Sequence, residues 1–173
     1  VYNGITKYGE KGVYLTLDES PKSIRESALN FGMNLKDLEE AEKLVIVDAS
    51  PIRMEVGRYV TRSPVMLGLP DFNIDTVLST VHKAAEKIGA ERIVVDSITS
   101  LMVQYGDPFV VRKETLSLIR SLSEGGRYTS ILLSEIGEGE ERFQFKPEMF
   151  LVHGAVLLHN IKQGEARIRA IEV

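Results

Sequence analysis

The chain has 173 residues, of which 43% are hydrophobic and 27% are charged, and its formal net charge is −4. These values are typical of one water-soluble domain with a sizeable core, and they give no general reason to expect binding to nucleic acid. The absence of cysteine excludes disulfides and thiolate metal sites. No apolar run is long enough for a membrane span, and the first residues do not resemble a secretory signal, so we expect a cytoplasmic location.

Short runs of β-branched and apolar residues recur along the chain and predict strands. Four of these runs alternate with helical patterns, and two more follow on either side of a predicted turn at Gln163 and Gly164. A long stretch without clear periodicity, residues 51–70, separates the second strand from the next helix. In chain order, the predicted strands are residues 13–17, 44–47, 92–95, 130–133, 154–161 and 166–173.

Helical periodicity predicts three helices between the strands, and the opening segment VYNGITKYG is typical of the end of another helix that stops at Gly9. Ser20 followed by Pro21 is the expected start of the first complete helix. The residues expected to face the core are Ile24, Ala28 and Phe31 in the first complete helix, Ile74, Val77, Leu78, Val81, Ala85 and Ile88 in the second, and Val111, Leu118, Ile119 and Leu122 in the third.

This alternation of strands and helices indicates the fold class. Strands separated by helices pair in parallel, and the helices then cover both faces of the sheet. We therefore predict an α/β protein with a mostly parallel sheet, closed at one side by a carboxyl-terminal antiparallel hairpin. No repeat, low-complexity segment or linker divides residues 1–173, which favours a single domain.

Acidic residues follow each of the four predicted parallel strands, namely Asp18 with Glu19, then Asp48, Asp96 and Glu135. Ligands of such sheets bind beyond the carboxyl ends of the strands. Carboxylates collected at one edge repel one another unless a cation offsets them, which favours a site for Mg²⁺ and phosphate.

Purely structural roles are the alternatives for these acids. Asp48 is typical of a residue that caps local backbone groups, and Asp18 with Glu19 could serve the same purpose. Ser134 and Glu135 could detect a terminal phosphate or solvate the end of a strand. Asp96 ends the run RIVVD, which fits the Walker B pattern, in which the acid holds Mg²⁺ through water.

Taken in order, several segments resemble the ATPase domain of the KaiC-like branch of the RecA superfamily, particularly its single-domain archaeal members. They are EKGVYLTLDESPKSIRESALNFGMNL, KLVIVDAS, ERIVVDSITSL, TSILLSE and GAVLLHNIKQGEARIRAIEV. The resemblance covers nearly the whole chain. It implies a RecA-like P-loop NTPase core that binds ATP with Mg²⁺ and acts as a homo-oligomer, such as a hexameric ring.

The resemblance also implies roles for particular residues. The catalytic carboxylate pair of the family falls on Asp18 and Glu19, and the Mg²⁺-binding acid falls on Asp96. Ser97 and the pair Ser134–Glu135 would contact the nucleotide. The first acid of the catalytic pair is Asp where the family usually has Glu, which leaves open which of the two activates water.

The phosphate-binding loop of such ATPases, Gly-x-x-x-x-Gly-Lys-[Ser/Thr], does not occur in these 173 residues. We therefore expect the domain to begin before Val1, with its first strand, that loop and most of its first helix, and to continue after Val173. We also expect residues 1–173 by themselves to bind ATP poorly.

The leading interpretation is a regulatory ATPase that acts as an oligomer. A nucleotide-responsive scaffold with little turnover is the second. A recombination-related protein that binds DNA is the third, and its local support is three arginines, Arg53, Arg58 and Arg62.

Overall fold

The computed structural model describes residues 1–49, 73–103, 105–135, 147–164 and 166–173. The stretch 51–70, whose sequence shows no clear periodicity and contains the three arginines, lies outside the described residues. The chain forms two compact units, Val1–Ile136 and Gly137–Val173.

The first unit contains a four-stranded parallel sheet, as predicted. Its strands are β1 (Gly12–Thr16), β2 (Leu44–Asp48), β3 (Arg92–Asp96) and β4 (Thr129–Leu132). They lie in the order β2-β1-β3-β4, and each neighbouring pair is parallel. The helices are α1 (Tyr2–Tyr8), α2 (Pro21–Leu29), α3 (Leu35–Glu40), α4 (Ile74–Ile88), α5 (Ile98–Met102) and α6 (Pro108–Ser123).

Helices cover both faces of this sheet. Successive side chains of a strand point to opposite faces, so β1 contributes residues to a cluster on each side. On one face Leu15 packs in the main core with buried residues of α4, α5 and α6. On the other face Tyr14 packs against a smaller cluster formed by Ile5, Ile24 and Leu35. The site described below therefore rests on a sheet that is held from both sides.

Local sequence signals account for the ends of several helices. Ser20 caps α2 by accepting a hydrogen bond from the Ser23 amide at 3.0 Å, and Gly89 ends α4 with a φ of 68°, a value that favours glycine. All six residues predicted for the inner face of α4 are buried.

The prediction for Phe31 is wrong, because α2 ends at Leu29 and leaves the Phe31 side chain 80% exposed. The sequence interpretation also missed the short helices α3 and α5. A helix of five or six residues is too short to show a periodic pattern.

The second unit contains the predicted hairpin. Strands β5 (Leu157–Gln163) and β6 (Ala166–Glu172) are antiparallel, and Gln163 pairs with Ala166 next to the turn. Gly164 in that turn has a φ of 63°. Within the described ranges, none of the helices is both long and apolar enough to cross a membrane.

Candidate functional site

The register of the sheet brings the acidic strand ends to one edge. Thr16, the last residue of β1, pairs with Asp48 on one side and with Asp96 on the other. The predicted strand that ends at Asp96 is confirmed, and this strand, β3, lies between β1 and β4. Asp18 and Glu19 follow two and three residues after Thr16, so all these carboxylates belong to the same edge.

The turn after β1 is organised by the hydroxyl of Thr16, a fully buried side chain. This hydroxyl accepts a hydrogen bond from the Glu19 amide at 3.1 Å and donates one to the Glu19 carbonyl at 2.8 Å. Both backbone polar groups of Glu19 are thereby tied to the end of the strand. The Glu19 side chain is exposed, and its Oε2 accepts a hydrogen bond of 2.7 Å from the Ser23 hydroxyl.

Asp18 is fastened to the start of α5. Its Oδ2 accepts hydrogen bonds from the amide and the hydroxyl of Ser97, at 3.2 and 3.0 Å, and its Oδ1 accepts one from the Ser100 hydroxyl. Ser97 is only 3% exposed and also caps α5. The peptide bond between Asp96 and Ser97 is cis. Both oxygens of Asp18 thus contact the segment that directly follows Asp96.

A tyrosine on the neighbouring strand holds the Asp96 side chain. The Tyr14 hydroxyl, in the middle of β1, donates a hydrogen bond to Oδ2 of Asp96. Burial raises the pKa of the Tyr14 phenol well above its ordinary value, and the hydrogen bond to Asp96 and the negative charges of Asp96 and Glu19 act in the same direction. Tyr14 therefore remains a neutral donor that fixes one oxygen of Asp96.

The segment after β4 also contacts the start of α5. The Thr99 hydroxyl accepts a hydrogen bond from the Glu135 amide at 2.9 Å and lies 3.4 Å from the Ser134 hydroxyl. A backbone hydrogen bond also connects the two segments, because the Ile98 amide donates to the Leu133 carbonyl at 2.9 Å. Ser134 and Glu135 are thus next to the segment that holds Asp18.

Comparison with known proteins assigns the chain to a family. A family model described as "ATPase: KaiC" matches residues 1–173. The chain belongs to the KaiC family of ATPases. The resemblance read from the sequence is therefore confirmed.

Relatives with printed names agree with this assignment. The chain is 35% identical, over all 173 residues, to the circadian clock oscillator protein KaiC of Parasynechococcus marenigrum, of which it covers 32%. It is 34% identical to KaiC of Thermostichus vulcanus and again covers 32% of that protein. The chain therefore spans about a third of the length of these curated relatives.

A solved structure shows the same fold. The KaiC-like protein from the hyperthermophilic archaeon Pyrococcus horikoshii OT3 superposes with a TM-score of 0.75 at 28% identity, over 98% of this chain and 68% of that one. The prediction of a RecA-like core with a mostly parallel sheet is confirmed.

KaiC-family membership implies a nucleotide, typically with Mg²⁺, and the acidic edge is compatible with that ion. Among the described residues, no group of three His, Asp or Glu side chains is arranged to hold a metal ion. Mg²⁺ is usually bound by one or two carboxylates, with waters and substrate phosphates completing its shell. Asp96, with one oxygen fixed by Tyr14, could supply such a carboxylate.

The sequence interpretation missed four residues of this candidate site, namely Tyr14, Thr16, Thr99 and Ser100. A signal was present for some of them. Tyr14 and Thr16 are polar positions in an otherwise apolar strand, and SITS places hydroxyls at three of the four positions that follow Asp96. The partners of Tyr14, Thr99 and Ser100 could not be inferred, because they belong to distant parts of the chain. Thr16 bonds Glu19, three residues away, in a local turn that the sequence interpretation did not recognise.

Proposed function

We propose that this chain forms the catalytic core of a regulatory ATPase that binds Mg²⁺ and ATP at the carboxyl edge of its sheet and works as a homo-oligomeric ring. The convergence of Asp18, Glu19 and Asp96 at one edge carries the proposal. Family membership supports the ATPase type, whereas the ring and the residue roles are proposals.

Each acid has a role that its contacts favour. Asp96 would hold Mg²⁺ through water, in an orientation set by Tyr14. When bound, Mg²⁺ offsets the negative charge that develops on the phosphates. One of Asp18 and Glu19 would orient the attacking water, and Ser134 and Glu135 would lie beside the terminal phosphate, with Ser97 near the metal.

The cation is essential to this arrangement because carboxylates and phosphates repel each other. Positioning and charge stabilisation account for most of phosphoryl-transfer catalysis. The hydroxyls that fix the acids would therefore contribute to catalysis by fixing where the water and the ion lie.

The test uses the full-length protein and measures ATP affinity and turnover in parallel. Glu19→Gln should lower turnover by about a hundredfold, a typical loss for a general base, with little change in affinity. Asp96→Asn should shift the Mg²⁺ dependence of turnover to higher concentration. Glu26→Gln is the matched control, since Glu26 is an exposed residue of α2 in an i,i+4 pair with Lys22.

Other outcomes would select other functions. Tight ATP binding with negligible turnover in the parent protein would favour a nucleotide-responsive scaffold. If Glu19→Gln and Asp96→Asn both behaved like Glu26→Gln, the proposed site would be wrong. Mass measurement in solution with and without ATP tests the oligomer.

A further inference from the structure

One short segment contacts both the loop after β1 and the loop after β4, which lie on either side of it. We call residues 97–100 the hydroxyl turn. It leaves the end of β3 and forms the first turn of α5, and three of its four residues carry a hydroxyl.

Toward β1, the hydroxyl turn satisfies both oxygens of Asp18. Ser97 provides its amide and its hydroxyl, and Ser100 provides a second hydroxyl. With both of its oxygens accepting hydrogen bonds from this turn, Asp18 is poorly placed to take a proton from water. Asp18 and Glu19 are both exposed, but among the described residues Glu19 accepts a side-chain hydrogen bond at one oxygen only, from Ser23, which leaves its other oxygen open to water.

Toward β4, the same turn holds the segment that contains Ser134 and Glu135. Thr99 accepts the amide hydrogen bond of Glu135 at 2.9 Å and contacts the Ser134 hydroxyl. The Ile98 amide adds a hydrogen bond of 2.9 Å to the Leu133 carbonyl.

The hydroxyl turn is itself anchored in the core. Ile98 and the following Leu101 are 4% and 0% exposed and belong to the main hydrophobic cluster. Buried side chains in a close-packed core resist displacement. With Ile98 and Leu101 held in this way, the turn would behave as one rigid body, so that a change in its contacts on one side would alter its contacts on the other.

We propose that the hydroxyl turn is a positioning element that sets the loop after β1 and the loop after β4 in register with each other. In this arrangement Thr99 positions Glu135 and Ser134, and Asp18 is a positioning residue that leaves water activation to Glu19. The catalytic consequence rests on the proposed ATPase function, whereas the mechanical coupling does not.

The coupling is tested first without nucleotide, by hydrogen exchange of the full-length protein. Thr99→Val removes the hydroxyl and keeps the shape of the side chain, and Thr99→Ser keeps the hydroxyl. Thr80→Val is the matched control, because the Thr80 hydroxyl donates to Thr76 of its own helix at 2.8 Å. Ser100→Ala perturbs the turn from the Asp18 side.

We expect Thr99→Val to speed amide exchange severalfold in peptides covering 133–135 and also in peptides covering 17–20, across the turn. Ser100→Ala should affect the same two segments, while Thr99→Ser and Thr80→Val should affect neither. Faster exchange confined to the mutated side in both variants would overturn the coupling, whatever the protein does with ATP.

Turnover then tests the catalytic part. Thr99→Val should lower kcat by about tenfold or more with a KM for ATP within about twofold, because small misplacements at a reacting centre are costly while ground-state binding is retained. In the Thr99→Val/Ser100→Ala double variant, the fold loss of kcat should be at least about threefold smaller than the product of the two single losses. The effects of residues that act through the same structural element are not independent. Strictly multiplicative losses, or an Asp18→Asn variant that loses as much kcat as Glu19→Gln, would overturn the assignment of Asp18 as a positioning residue.

Discussion

Replacing Thr16 by Val tests whether one buried hydroxyl organises the acidic edge of the sheet. Val keeps the shape of the side chain but removes the group that bonds both the amide and the carbonyl of Glu19, at 3.1 and 2.8 Å. The Thr16 side chain has no exposed surface, so water cannot take the place of the hydroxyl at that position.

The expected loss of stability follows from these two contacts. A polar group left without its partner costs about 1–3 kcal/mol when it is buried. Glu19 is exposed, so its amide and carbonyl can partly turn to water, and we expect a total near the middle of that range, about 2 kcal/mol. With a slope of about 2 kcal/mol per molar urea, the unfolding midpoint should fall by about 1 M.

Urea denaturation and ATP turnover should be measured on the same preparations, with Thr16→Ser as the control. Ser keeps the hydroxyl and loses one methyl group, which costs about 1 kcal/mol. Thr16→Ser should therefore be mildly destabilised with nearly normal turnover. Thr16→Val should lose turnover at urea concentrations well below its unfolding midpoint. A Thr16→Val protein with the parent's midpoint and turnover would refute this account of the turn.

Three further predictions concern stability. Because the fold raises the pKa of Tyr14, the unfolded chain ionises this phenol at lower pH than the native protein does. The neutral phenol therefore stabilises the fold fully below about pH 10, and this contribution declines above that pH. Tyr14→Phe should flatten the fall in unfolding free energy between about pH 9 and pH 11, as measured by urea titrations. Ser20→Ala removes the cap of α2 and should cost about 1 kcal/mol in the same assay, whereas Ser20→Asp should cost little. Gly89→Ala forces a side chain into a φ of 68° and should lower stability by about 1 kcal/mol, with Gly89→Asn less affected; equal stability of the alanine variant would contradict this.

Two predictions from the sequence have direct tests. The measured turnover of the full-length protein decides between a rapid ATPase and a nucleotide-responsive scaffold. The arginines at 53, 58 and 62 lie outside the described residues, so DNA binding remains a sequence-based hypothesis that the salt dependence of any affinity would test.

Local patterns in the sequence determined much of the fold. The buried face of α4 and the cap at Ser20 were predicted correctly, because periodicity and capping depend on residues within one or two turns of each other. The same holds for the acids at the strand ends, since a parallel sheet places the carboxyl ends of its strands at one edge. Phe31 was predicted wrongly because periodicity does not show where a helix stops.

Only the tertiary structure decided how Asp18 and Asp96 are held, whereas the contacts of Glu19 with Thr16 and Ser23 are local. Asp18 meets Ser97, which is 79 residues away, and Tyr14 meets Asp96, which is 82 residues away. These contacts depend on the register of β1 against β3, which places Thr16 opposite Asp96. A shift of one residue in that register would turn every side chain of β1 to the other face, and no local pattern fixes the pairing of segments so far apart. The sequence alone thus determined which residues could carry the chemistry, while long-range strand pairing decided that Asp18 and Asp96 are held by partners from distant parts of the chain.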